Sequence, residues 1–137
     1  MNETDISEAL CGRIDTAGIL PAYMPNETPS ATLKAATTYF DVTFATSRTK
    51  RSGLSADSVV QKIAILQCSV VVPEGTGVTA VEGYAQQIKE LFTALPVLKL
   101  LITGGVIVVG TVDIKSGYPV DGEYRVPVHV PFTANQT

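Results

Sequence analysis

The run 60–72 constrains this chain more than any other stretch. It reads VQKIAILQCSVVV, rich in β-branched residues and free of proline and glycine, which suits a pleated strand better than a helix. Polar and apolar residues alternate loosely in its first half, whereas Val70, Val71 and Val72 are apolar in succession. A strand with one wet face alternates throughout, so the three valines predict a central strand covered on both faces at that end. Pro73 has no amide hydrogen to offer a ladder and stops the strand.

Pro73-Glu74-Gly75-Thr76-Gly77 combines fixed and permissive φ values, as a sharp reversal into a helix requires. The helix is predicted over 79–95. Thr79 and Glu82 fit a capping box, and Val81, Tyr84, Ile88, Leu91, Phe92 and Leu95 recur at three and four to form one buried face before Pro96. Gly83 inside it costs about 1 kcal/mol of helix propensity relative to alanine. That reads either as a tolerated cost or as a close approach of the helix backbone to the sheet.

Upstream, Asp5 with Glu8 predicts a short capped helix over 6–14, with Ile6, Leu10 and Ile14 laid on the sheet as a lid. Pro21, Pro25 and Pro29 make 18–38 an extended connection. Phe40, Val42 and Phe44 alternate with Tyr39, Asp41 and Thr43 in a half-buried strand. The segment 46–58 carries Arg48, Lys50 and Arg51 against Asp57 and is expected to be a flexible hairpin loop. It is either simply solvated or docks on an acidic partner or a phosphate backbone.

Downstream, Gly104-Gly105 predicts a two-residue hairpin turn with positive φ at both positions. A connection over 112–122 holds Gly117, Pro119 and an Asp121-Gly122 turn. In the last strand Tyr124, Val126, Val128, Val130 and Phe132 share one face, and Arg125, Pro127, His129 and Pro131 share the other. Two prolines place that strand at a sheet edge or beside a bulge. Residues 134–137 are expected to fray.

At 137 residues one domain over 1–137 is the default. Its class is α+β: a mainly antiparallel or mixed sheet flanked by the short N-terminal helix and the longer one. Hydrophobic residues make up 45% and charged ones 17%, an apolar excess that a subunit interface can absorb as well as a core. A net charge of −3 excludes polyanion binding by overall charge. Cys11 and Cys68 form no CxxC pair and read as reduced, buried thiols of a reducing compartment. The acidic N-terminus shows no signal-peptide pattern, which discounts the three Asn-x-Thr sequons. The apolar run 95–109 is broken by Pro96, Lys99 and Gly104-Gly105, so no membrane span is expected.

Catalytic signatures are missing. His129 is the single histidine, which removes histidine triads and multi-histidine metal sites. Gly75-Thr76-Gly77 lacks the lysine and hydroxyl ending of a phosphate loop. Asp113, Asp121 and Glu123 are near in sequence, but turn carboxylates are more often solvated than metal-bound. The expectation is a protein that is not an enzyme and has no cofactor and no metal.

The strand with Gln67, the Pro-Glu-Gly-Thr-Gly turn, the following helix, the hairpin and Asp121-Gly122-x-Tyr124-x-Val126-Pro127-Val128-x-Val130 together resemble the tail terminator proteins of long-tailed bacteriophages and related particles. The resemblance covers roughly residues 39–132, with Tyr39-Phe40-Asp41-Val42 as the family's Tyr-starting strand; the segment 46–58 is individual to this chain. It implies a virion protein, assembled in the bacterial cytoplasm, that forms a hexameric ring on the tail tube, stops tube polymerisation and joins the head. The implied partners are further copies of the chain, the tail tube protein and a head-completion or neck protein, with double-stranded DNA passing through the lumen without sequence-specific binding. Arg48, Lys50 and Arg51 are the residues picked for partner contact, and Arg125, Pro127 and His129 for the subunit boundary. Two other readings stay open: a head-completion connector on the portal side, and a cytoplasmic module binding a small ligand between helix and sheet.

Overall fold

The computed structural model describes residues 3–23, 38–51, 60–94 and 96–136. Helix α1 (Glu3–Ala17) is longer at both ends than the sequence suggests. Asp5 lies within it rather than at its cap, and Gly18, with φ 62°, closes it by donating to the Asp15 carbonyl. Ile6, Leu10, Cys11 and Ile14 form its buried stripe.

Among the described residues eight strands follow: β1 (Ala22–Tyr23), β2 (Tyr39–Arg51), β3 (Val60–Pro73), β4 (Lys99–Ile102), β5 (Gly105–Val109), β6 (Asp113–Ile114), β7 (Tyr118–Val120) and β8 (Glu123–Gln136). Between β3 and β4 lies helix α2 (Val78–Leu91). Sheet order is β1-β2-β3-β8-β5-β4, with β6 and β7 also on β8. All pairs are antiparallel except β1 with β2. The result is a single mixed-sheet α+β domain, and β3 is central, as its three valines require.

β8 is no edge strand. It pairs with β3 over almost its whole length and is covered on its other side by β7, β6 and β5 in turn. The carbonyls of Pro127 and Pro131 accept from Lys115 and Gly110, and in an extended strand a residue's nitrogen points the same way as its carbonyl. Both missing amides therefore face the side tiled by short strands, and the β3 ladder loses no bond. Residues 134–136 are not frayed either: β8 runs to Gln136, and Ala134 is buried between Lys62 and Ile107, while Thr137 lies outside the described residues.

The register of β2 slips between Phe44 and Thr46, so Ala45 bulges. Beyond it Thr46–Arg51 continue as strand opposite 60–65, so Arg48, Lys50 and Arg51 lie on a strand and not in a loop. Thr46 and Thr49 have the β-branched shape that a strand accepts, and the three cations obscured it. Residues 24–37 and 52–59 lie outside the described residues.

α2 begins without the expected capping box. Gly77 is its N-cap, at φ 86°, and no side chain bonds the first turn. The reversal is held by Thr76 Oγ1 donating to the Pro73 carbonyl (2.6 Å) and by the Glu74 amide donating to Gly122 (2.9 Å). The helix ends at Leu91, with Phe92 as its C-cap. Val81, Ala85, Ile88 and Phe92 are buried, Tyr84 and Leu91 half-buried, and Leu95 lies outside the described residues. Gly83 is exposed, and a Cβ there would meet nothing. No close approach to the sheet explains it.

The β4–β5 turn uses Thr103-Gly104, one residue earlier than expected, since Ile102 pairs with Gly105 and only Gly104 has positive φ. The turn positive at both positions is Asp121-Gly122 (47° and 79°), joining β7 to β8. No helix among the described residues is long and apolar enough to cross a membrane.

Helices α1 and α2 pack on one face of the sheet, against Phe40, Val42, Leu66, Cys68, Val70, Val126, Val128, Val130 and Phe132. Gly117, just before β7, lies under the Tyr124 ring, and a Cβ there would overlap it. Gly117→Ala is therefore expected to lower stability by about 1–3 kcal/mol in urea unfolding. In a Tyr124→Ala background the same change should cost almost nothing.

Candidate functional site

Residues opposite one another in a ladder share a face, so the register fixes what lies on the side of the sheet away from the helices. One row is Tyr39, Val71, Arg125 and Tyr118; the next is Asp41, Ser69 and Pro127; the third is Thr43, Gln67, His129 and Asp113. Past the Ala45 bulge come Arg48, Ile63, Thr133, Val108 and Lys99, and then Gln61, Asn135, Val106 and Leu101. One end of this face holds linked polar side chains, and the other holds the exposed Leu101 beside half-buried Ile63, Val106 and Val108.

At the polar end the Tyr39 hydroxyl donates to Glu123 Oε2 (2.8 Å), and Arg125 Nη1 donates to Asp41 Oδ2 (2.8 Å). Arg125 Nη2 stands 3.9 Å from Glu123 Oε1. Tyr23 adds an edge contact to the Tyr39 ring. Tyr39 is fully buried and Glu123 is 7% exposed. Burial first, then the bond to Glu123, raises the phenol's pKa above its usual value. Burial opposes the charge on Arg125, but its bond to Asp41 and the nearby acidic groups raise its pKa overall. The phenol stays protonated and the guanidinium is occupied. These four side chains tie β2 to β8 across β3, and the arrangement offers no activated nucleophile.

Of the residues chosen from the sequence, Arg48, Arg125, Pro127 and His129 lie on this same face. Arg125, Pro127 and His129 alternate along β8, with Pro127 buried and His129 half-buried. Arg125 is committed to Asp41, its side chain 17% exposed. Arg48 is exposed four rows from Arg125, opposite Ile63, whereas Arg51 pairs with Val60. Position 50 lies opposite Gln61. The structure therefore does not gather the six into one cluster. Glu123 leaves the supposed acidic group to bind Tyr39, while Asp113 binds Lys115 Nζ (2.6 Å), which lowers its pKa. Among the described residues no three His, Cys, Asp or Glu are placed to hold a metal. Cys11 and Cys68 are buried and unbridged, and burial raises both thiol pKa values.

Sequence reasoning passed over Leu101, which is 88% exposed. It sits in an apolar run that reads as core. Lys99 was the available signal: strand residues two apart share a face, so a lysine at 99 places Leu101 in solvent. Beside it Val106 and Val108 are only half-buried.

A family model described as phage tail terminator protein matches residues 5–132. No curated protein sequence matches the chain. A solved structure aligns over 98% of this chain and 96% of its own at a TM-score of 0.69, with 21% sequence identity, a likeness of fold alone.

Tyr39→Phe is expected to leave the buried Glu123 without its donor and to cost about 1–3 kcal/mol. A phenol whose folded pKa is raised adds stability below its unfolded value, near 10, and loses it as pH rises further. Urea melts should therefore show wild type losing stability more steeply above pH 10 than Tyr39→Phe.

Proposed function

The chain belongs to the phage tail terminator family, a family of structural proteins of the virion tail, and from that membership we propose that it ends the tail tube. In this reading six copies close into a ring on the last ring of tube protein, stop further addition, and offer a new surface to the head-completion or neck protein. The observation that carries it is the family match over 5–132. The open sheet face, with its exposed Leu101, supports it as surface that an assembly would cover.

A cap must match the tube on one side and withhold a tube-like surface on the other. Closed rings satisfy this because each copy uses two different patches of itself, leaving both ring faces free to differ. Arg48, Lys50 and Arg51 are the residues we assign to contact with an acidic surface of a neighbouring tail or neck protein; the side chains of Arg125, Pro127 and His129 contribute to the subunit boundary chiefly by holding β8 in place. Double-stranded DNA would traverse the ring without sequence-specific binding. Six copies of a chain at net −3 carry −18 formally, a balance that discourages adhesion of the phosphate backbone.

The test is polymerisation of purified tube protein with and without this protein, followed by negative-stain imaging of tube ends and light scattering. Ring-shaped density at one end of shortened tubes is expected. Tubes that grow to unchanged length beside a protein that never associates with them would overturn the proposal.

A further inference from the structure

We propose that neighbouring copies in such an assembly join by seating Leu101 of one copy in a groove on the opposite side of the next. The inference rests on the ring reading and adds which surfaces meet. On the helix side of the sheet, Ala9, Gly12, Thr16 and Ala17 of α1, Leu91 of α2 and Leu100 of β4 line an open groove. Its lining is two leucines, small side chains of α1 and the Arg13 side chain. Arg13 fixes its width, since Nε donates to the Leu91 carbonyl (2.8 Å) and so ties α1 to the end of α2.

Leu101 stands on the other side of the same strand. Consecutive strand residues point to opposite faces, so Leu100 floors the groove while Leu101, 88% exposed, projects away from it. Knob and groove are thus back to back on the last strand of the sheet. A contact between them is necessarily head to tail: it uses different patches on the two partners, so it can propagate from copy to copy and close into a ring. A two-fold pair using both at once would need the partner to lie on both sides of β4.

Charge fits the same pairing. Lys99 is exposed on the Leu101 face, and no described acidic residue pairs with it. The solvent side of α1 next to the groove presents Glu8 and Asp15, both exposed. Lys99 beside the knob therefore meets Glu8 and Asp15 beside the groove, where Arg13 is held against the Leu91 carbonyl. A second copy fits this groove better than an unrelated partner because the same chain carries both the apolar knob and the matching charge.

The experiment compares wild type, Leu101→Glu and Gly12→Leu by sedimentation and native mass spectrometry, alone and with purified tail tubes. A Cβ at Gly12 meets nothing within 4 Å, so leucine there should fill the groove and, as a better helix former, raise Tm. Leu101 is solvent-exposed, so its replacement should leave the fold intact; if the glutamate variant melts, Leu101→Thr keeps strand propensity and replaces it. Each variant alone is expected to lose the ring mass. Mixed at equal amounts, the intact groove of one and the intact knob of the other should give 1:1 dimers and nothing larger. Rings formed by both variants, or variants that stay monomeric when mixed, would overturn this contact while leaving the ring reading in place. Wild type that never forms rings, with or without tubes, would overturn both.

Discussion

The unbroken antiparallel pairing of β3 with β8 is what the rest of the structure depends on. Thirteen positions pair in register from Gln61 with Asn135 to Pro73 with Glu123, and β2 is added to the far side of β3 over a similar length. A strand carrying two prolines can occupy such a position only if both missing amides point the same way, away from the continuous ladder. Pro127 and Pro131 are four apart, so they do. Their common side then cannot hold one long strand. It is tiled by β7, β6 and β5, which change over at those residues, and the winding 110–122 connection follows from that division.

The long elements were legible in the sequence because each carries a period. β3 announces itself by β-branched residues and its proline stop, β2 by the alternation from Tyr39 to Phe44, α1 and α2 by stripes at three and four. The role of β8 was hidden because a proline shows that a donor is missing but not in which direction it would have pointed. The second half of β2 was hidden for another reason. Three cations look like solvent, and a strand with one wet face is allowed to look so; only the ladder with 60–65 distinguishes it from a loop. The caps failed where glycine did the work of a side chain: Gly77 starts α2 by its positive φ, with no hydroxyl or carboxylate needed.

The candidate site was less legible, because its parts come from residues distant in the chain. Tyr39 and Glu123 are 84 positions apart and share a face through β3, which contributes no ionisable group to their bond. From the sequence, Glu123 belongs with Asp113 and Asp121 in a turn; in the fold the turn ends one residue before it, and the carboxylate is carried into the sheet. A buried carboxylate needs its donor nearby, and the Tyr at the start of the first long strand supplies it.

These features give the two sides of the sheet different tasks. On one side the helices cover an apolar core. On the other, the Tyr39, Asp41, Glu123 and Arg125 ties satisfy one another, and the end around half-buried Ile63, Val106 and Val108 and exposed Leu101 remains open. In a monomer, water against that apolar end opposes stability without return; in an assembly the same surface becomes the driving force for contact. Because the groove and the knob lie on opposite sides of β4, the proposed contact between copies would be head to tail, the kind that closes into a ring when the rotation between copies allows it. In that proposal the residues that keep β4 in place matter to assembly as much as those that touch the neighbour.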